Sequence, residues 1–413
     1  MRSMTKGLVL AAAGFAMFAT PALAADSQNE MKEMRELVLK LQDQLNAQQE
    51  QIDEQQGVMR EAGIEDERGS ASYLSSFLES TDFSGWVAAS YFYNFNNPKG
   101  NQSAANGPNS NPFHPDHNSF TFDEAWFVMD RGATEEMPAG FHFEITYGET
   151  ASVNANGNPN GNDLWIPSAN VSYLTPWGQT ITAGKFGTTI GYEVAGAPLN
   201  VNITRGFTYN LFQPVSHTGV TVSQSFDGGM TYTLGVINGF GTEQRDTTQG
   251  KGVLWQVGWG SDTVTLLFNG MWEDNQAGGG ARDKVILDAV LELTPNDNVL
   301  VWANADYNYD DISSSVDPWR VGLAVGTRIG ITEDMGIGGR YEVAALENTP
   351  GIGDGWLHGW TLTTDYALTD NLTWKVEGKY EIGKNDWNST YIEGRNGTEN
   401  DAIFVGTQLY YEF

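Results

Sequence analysis

Charged residues of the C-terminal half recur at even spacing. Arg282, Lys284, Asp288 and Glu292 share one parity of a single stretch, and Asp306, Arg320, Arg328, Arg340, Glu342, Asp365, Lys375, Glu377, Lys379 and Glu381 continue the pattern on the stretches after it. In an extended chain, residues two apart point to the same side. Acids and bases would therefore project together from one surface, which suits the sorting of ions and polar solutes by charge and size rather than bond breaking. A second group, Tyr192, Glu193 and Arg205, lies in the segment Gly187 to Pro214, which is long but unusually rich in small and apolar residues. If that segment folds inward, Glu193 faces the basic wall of Arg282, Lys284, Arg320 and Arg340, with Glu342 beside it, and the eight residues form a charged constriction. The alternative is a ladder of charges paired with one another, with the segment capping the surface from outside.

Other constellations offer less chemistry. His114 and His117 flank Asp116 in a Gly/Asn/Pro-rich stretch without helical order or further ligands, so a solvated loop is expected there and no metal site. His142, His217 and His358 stand in no context that pairs a nucleophile with a base. No Gly-rich turn follows a strand and opens a helix, so nucleotide binding lacks support. The expectation is no catalytic residue and no cofactor. Twenty-two Lys and Arg against 52 Asp and Glu, a formal charge of -30, argue against nucleic acid as a partner and for cations near the surface.

The element that must position such a wall is legible at the C-terminal end. In Asp401 to Phe413, Ile403, Val405, Leu409, Tyr411 and Phe413 share one parity, while Gly406, Gln408 and Glu412 lie on the other. One greasy and one wet face, ending on an aromatic residue, is the pattern of the closing strand of a transmembrane β-barrel. Leu409, Tyr411 and Phe413 are then the residues on which barrel assembly depends. About sixteen similar stretches run from 83 to 413, an even number as an up-and-down antiparallel barrel requires. Tight turns with Pro, Asp, Asn and Gly near 175–178, 227–229, 260–262, 294–297, 332–334 and 369–371 alternate with long Gly/Asn-rich loops, so the turns mark the periplasmic end and the loops the outer one. Val285, Leu287, Ala289, Leu291 and Leu293 should face lipid, as should Val321, Leu323, Val325 and Ile329. Trp177, Trp259, Tyr307, Trp319, Trp356 and Trp360 gather at strand ends as interfacial girdles, and Lys185, of ambiguous parity, reads as a girdle residue that snorkels.

Before the barrel the chain changes character. Residues 1–24 carry a positive start, an apolar core and the small-residue site Pro21-Ala22-Leu23-Ala24, which reads as a secretory signal. Over 25–60, Met31, Met34, Val38, Leu41, Leu45, Ile52 and Met59 fall on spacings of three and four shared with Gln48 and Gln55, a heptad seam that predicts an α-helical coiled coil. A lone helix leaves that seam uncovered, so Met34, Val38, Leu41, Leu45 and Ile52 are expected to join copies of the chain. Dimer and trimer fit the seam alike. Residues 61–82 read as a linker and 83–413 as the barrel. No cysteine is present, so closure of the strands must supply what disulfides do in other exported proteins.

The stretches FSGWVAASYFYNFNNP at 83–98, AGKFGTTIGYE at 183–193, HTGV at 217–220, GVINGF at 235–240 and GRYE at 339–342 resemble the OmpL-like β-barrel porin family, often called porin-2. The resemblance covers about 83–413 and is more specific before Lys251 than after it. It implies an outer-membrane pore for passive diffusion of small hydrophilic solutes or ions, with outer-membrane lipid, further copies of the chain and the barrel-assembly machinery as partners. The segment Gly187 to Pro214 resembles the third loop of general porins in rank and length. Acids in the outer loops would concentrate cations within a Debye length of about 8 Å, favouring weak cation preference, while the basic wall leaves anion preference open. The reading set against the pore is a plugged structural barrel whose coiled coil contacts the cell wall.

Overall fold

The protein is described by a computed structural model over residues 40, 77–96, 111–154, 163–240, 250–274, 283–311, 318–349, 353–385 and 401–413. The expected signal segment, the coiled coil apart from residue 40 and most of the linker, together with Arg282, lie outside the described residues. The chain divides into two units, Met1–Glu79 and Ser80–Phe413, and the strands among the described residues belong to the second.

The strands are β1 (Asp82–Asn94), β2 (Ser119–Arg131), β3 (Ala139–Tyr147), β4 (Leu164–Trp165), β5 (Ala169–Leu174), β6 (Thr180–Gly187), β7 (Ser216–Ser225), β8 (Met230–Ile237), β9 (Gly252–Gly260), β10 (Val264–Asp274), β11 (Asp283–Asn296), β12 (Val299–Asp310), β13 (Trp319–Gly330), β14 (Met335–Thr349), β15 (Gly353–Thr369), β16 (Leu372–Asn385) and β17 (Asp401–Glu412). Two short helices, α1 (Glu149–Asn154) and α2 (Phe207–Phe212), lie in connections. Pairing is antiparallel between successive strands, and β17 returns to β1 with Trp86 opposite Glu412 and Asn94 opposite Phe404. The two-residue β4 and the longer β5 both pair with β3, so they are two pieces of one position in the ring. The result is a closed barrel of sixteen positions, which leaves no open edge for hydrocarbon to meet.

Alternation decides the two faces. Leu287, Val321, Leu323, Val325, Ile329, Ile403, Val405 and Leu409 are exposed on the outside, whereas Ile286, Asp288, Ala324, Ala402, Phe404 and Gln408 between them are buried inside. An apolar band on the outer surface of a closed barrel suits lipid. The tight turns form as their residues dictate: Phe226 donates its N–H to Met230 O at 2.8 Å, around Gly228 and Gly229, whose φ angles of 93° and 86° lie in the left-handed region that glycine enters without steric cost.

The structure departs from simple alternation in three places. β3 stops at Tyr147, earlier than the period suggests, because Gly148 turns at φ 126° and the chain enters α1, which buries Ala151 among Trp86, Trp126 and Trp165. Between Ala88 and Ala89 the register of β1 against β2 slips by one residue, from Glu124 to Phe122, a bulge at Asp123. Asp123 and Glu124 are consequently both buried although they are adjacent. Lys185 is the third. It follows Gly184 at φ 131°, is buried, and holds its Nζ 5.7 Å from the centroid of the Trp165 ring, so it does not reach the membrane interface as the snorkelling reading required.

Candidate functional site

The segment between β6 and β7 enters the barrel. It leaves β6 with Thr188 Oγ1 3.0 Å from His217 Nε2 on β7, and Ile190 joins an apolar cluster with Ile237, Leu254, Met271 and Ile286, all on inward positions. From there it crosses to the far wall. The Tyr192 ring stacks on Trp302 of β12 with centroids 4.3 Å apart and planes at 15°, and the Tyr192 N–H donates to Asn304 Oδ1.

Carboxylates on the far wall then receive the loop's backbone. Glu377 of β16 accepts from the N–H groups of Ile203 at 2.6 Å and Thr204 at 3.1 Å, and from the Thr204 hydroxyl. Glu342 of β14 accepts from the Phe207 N–H at 2.5 Å, which opens α2. Glu124, one of the two acids turned inward by the β2 bulge, accepts from the Ala197 N–H at 2.7 Å and from the Trp86 indole at 2.5 Å. A buried N–H left without an acceptor is costly. Ionised acceptors make the strongest replacements, which explains how so irregular a segment remains inside.

Cations complete the docking. Arg340 of β14 donates from Nη1 to Glu193 Oε1 at 2.5 Å and to Thr204 O at 2.7 Å, with Glu342 Oε1 3.4 Å from Nη2. Glu193 also accepts from the Gly206 N–H at 2.7 Å, so the carboxylate ties two limbs of the loop as well as loop to wall. Lys375 donates to Asn200 O at 2.6 Å, and Arg320 donates to Leu211 O and to Asp310, each at 3.0 Å. Arg205 turns back on its own loop, donating to the carbonyls of Val194, Ala195 and Ile203 while lying 4.6 Å over the Phe113 ring. Apolar packing fills the remainder: Phe207 and Phe212 of α2 are buried with Ala344, Leu346, Leu357, Ala402 and Phe404.

Glu193, Arg340 and Glu342 therefore come together, with Arg205 one residue from the Gly206 N–H that Glu193 holds. Tyr192 stands apart, against Trp302 of β12. Lys284 and Arg320 meet at Asp310, 3.3 and 3.0 Å from its carboxylate, at a different part of the wall. Burial raises the Glu193 carboxyl above its ordinary range, and the Arg340 guanidinium opposes that rise. In the first loop, His117 Nδ1 accepts from the Asn94 N–H at 3.1 Å. His114 packs on the Phe92 ring and is held well below its usual pKa by burial, with Arg205 and Lys379 adding to the effect. No group of three or more His, Asp or Glu suited to a metal occurs among the described residues.

Several features of the site are not singled out by the sequence. Glu124 and Asp123 were hidden because adjacent residues of a regular strand face opposite ways, and only the bulge brings both inside. Glu377 was recognised as inward-facing, but its use as an acceptor for loop N–H groups depends on a partner 173 and 174 residues away. The tryptophans Trp86, Trp126 and Trp165, buried together on the inner face of β1, β2 and β4, form an aromatic wall that neither periodicity nor composition marks.

Comparison with known proteins agrees with this architecture. The family model described as beta-barrel porin-2, OmpL-like, matches residues 80–413. Comparison with curated proteins gives no match. Among solved structures, an anion-selective porin from Comamonas acidovorans superposes with a TM-score of 0.58 at 11% identity, covering 81% of this chain and 99% of that one. The outer-membrane channel DcaP of Acinetobacter baumannii gives 0.57 at 12% identity over 81% and 97%. The outer-membrane expressed OmpT of Vibrio cholerae gives 0.54 at 12% over 81% and 97%. At such identities the likeness speaks for the fold.

Proposed function

The chain belongs to the OmpL-like β-barrel porin-2 family, and from that premise we propose that it is a bacterial outer-membrane porin, not an enzyme, through which small hydrophilic solutes and ions diffuse passively past an internal loop. The observation that carries the reading is the loop from Gly187 to Pro214, held against the far wall by Arg340, Glu342 and Glu377 inside a closed barrel. Water still has surface to wet beside it. The inward Arg328 keeps 37% of its side chain exposed, and Glu292 and Gln256 are half-buried. A sixteen-stranded barrel is wide enough to leave an aqueous channel unless it is filled, and a loop bound to one side narrows the channel without closing it. In this reading Tyr192, Glu193, Arg205, Arg340 and Glu342 set the position of the constriction's edge, and Lys284, Arg320 and Arg282 belong to the basic wall.

Acids at the outer end, among them Asp163, Asp310 and Asp311, together with the charge of -30, favour weak cation preference. The heptad segment stands in the periplasm and joins copies of the chain through Met34, Val38, Leu41, Leu45 and Ile52. Outer-membrane lipid surrounds the apolar band, and the barrel-assembly machinery receives the closing strand. Planar-bilayer recording of the purified protein, with the reversal potential read in a salt gradient, tests the pore. Stable open steps with a reversal potential of the cation-selective sign are expected. Silence from correctly folded barrels would replace the porin reading with the plugged, tethering one.

A further inference from the structure

Between the inward loop and the wall of β1 to β4 lies a cavity of about 290 Å³. Its lining includes Trp86, Trp126, Trp165, Ile190, Ala195 and Tyr209. The Trp86 and Trp126 rings stack at 5.1 Å and 20°, and Trp165 meets Trp126 edge-on at 5.8 Å and 86°. The indole N–H groups of Trp86 and Trp126 are satisfied, by Glu124 and by Glu144. Two other donors of the lining are not. The Trp165 Nε1–H and the Tyr209 hydroxyl are buried and make no hydrogen bond. Buried donors in native proteins nearly always have acceptors, and two orphans on the lining of one aromatic cavity point to an acceptor that arrives from outside.

We propose that this cavity is a binding site for a solute built on a single planar ring that carries oxygen acceptors, the ring lying among the indoles and the oxygens accepting from Trp165 and Tyr209. The inference rests on the lumen being a solute path. Size fits: a dry cavity of about 150 Å³ accepts benzene, so 290 Å³ has room for a ring with a substituent. Chemistry narrows the class. A sugar would press most of its hydroxyls against indole and aliphatic surface, where unpaired polar groups are costly. A carboxylate brings two oxygen acceptors for these two donors, an alcohol brings one, and a protonated amine brings none. The two acids of the lining are already engaged, Glu144 by Trp126 and by His142 at 2.6 Å and Glu193 by Arg340 and the Gly206 N–H.

The test is ligand-observed fluorine NMR on the full chain in detergent, with 4-fluorobenzoate, 4-fluorobenzyl alcohol and 4-fluorobenzylamine as probes. Saturable line broadening is expected for the benzoate, weaker binding for the alcohol and none for the amine. Trp165→Phe combined with Tyr209→Phe keeps the rings and removes both donors, and should weaken benzoate about tenfold or more. Ala195→Trp, which fills the cavity, should abolish binding. Absence of saturable broadening by the wild-type chain, or equal broadening by the donor-less variant, overturns the proposal, as does undiminished binding to a cavity-filled protein that keeps the heat-modifiable mobility of a folded barrel. Bilayer recording of the same samples separates this from the porin reading. A silent barrel that binds the probe keeps the site and loses the pore, and a conducting barrel that does not bind keeps the pore and loses the site.

Discussion

Arg340 is the side chain on which the loop's position turns, and Arg340→Gln is the perturbation that asks how firmly. The guanidinium is fully buried and lies between Glu193 and Glu342, whose side chains are 3% and 0% exposed. Glutamine removes the charge and leaves two carboxylates facing each other without a cation. Breaking a buried pair in this way costs about 3 to 5 kcal/mol, a shift of roughly 10² to 4 × 10³ in the ratio of docked to released loop. Against that stand anchors that Arg340 does not supply: Phe207 and Phe212, each worth about 1.5 to 3 kcal/mol when fully buried, and the three hydrogen bonds to Glu377. Together these exceed what is lost, so the docked state stays favoured. The expected result is therefore not a permanently open pore but one that flickers. Single-channel steps should become noisy with excursions to higher conductance, and trypsin should cut at Arg205, which is buried in the wild type. The barrel should keep its heat-modifiable mobility. Adding Glu193→Gln and Glu342→Gln to Arg340→Gln removes the stranded charges and should quiet the recordings again. If Arg340→Gln alone gives steps as quiet as wild type and an unchanged tryptic pattern, the ion pair does not hold the loop and the reasoning from burial fails.

Gly206→Ala provides an independent route to the same state. Its backbone angles suit alanine, yet the added Cβ would stand 2.2 Å from Glu342 Oε2 and 2.9 Å from Glu193 Oε2, so flicker like that of Arg340→Gln is expected in bilayers. Deleting Phe413 removes the paired hydrogen bonds of 3.1 and 2.9 Å that close the ring against Gly85, and the folded fraction recovered from outer membranes should drop severalfold while export is spared; undiminished recovery would deny that residue its role in closure. Glu149 opens α1, and burial pushes its carboxyl up to about 7, with Asp116, Asp163 and Asp123 adding. The group is protonated in both docked and undocked segment below about pH 4.5. As pH rises from there through 7 the undocked form ionises first, so docking of α1 weakens over that window and is flat above it. Amide exchange across 149–154, corrected for intrinsic rate, should be faster at pH 8 than at pH 5, and Glu149→Gln should remove the difference.

Much of the barrel was legible along the chain because transmembrane alternation is a local property. Leu287 and Asp288, or Val405 and Phe404, face opposite ways for reasons contained in their own strands, and tight turns such as Asp227-Gly228-Gly229 announce themselves by residue type. The entry of Gly187 to Pro214 into the lumen was foreshadowed by its apolar content. What the loop does there was less legible. Glu193 and Arg340 were expected to oppose each other across an opening, and they are instead bonded, buried and engaged with the loop's own backbone. Lys284 and Arg320 share Asp310, a contact set by neighbouring strands, and take part in the loop's docking only through Leu211 O.

Composition and period two by themselves determined an antiparallel barrel, its outward face and the rank of its inward loop, because each depends on residues within a strand or a turn of one another. Which side chains meet inside was decided only by closure. Until β17 pairs with β1, nothing places the wall of β12 to β16 opposite the β6–β7 connection, and so nothing brings Arg340 to Glu193 or Glu377 to Ile203. The bulge at Asp123 and the glycine before Lys185 are likewise departures from the period, and they put Glu124 under Ala197 and a cation over Trp165. The physical reason is common to all of these: facing direction is encoded by neighbours in sequence, whereas partners across a lumen are chosen by the ring's geometry and by the requirement that every buried donor and charge find an opposite.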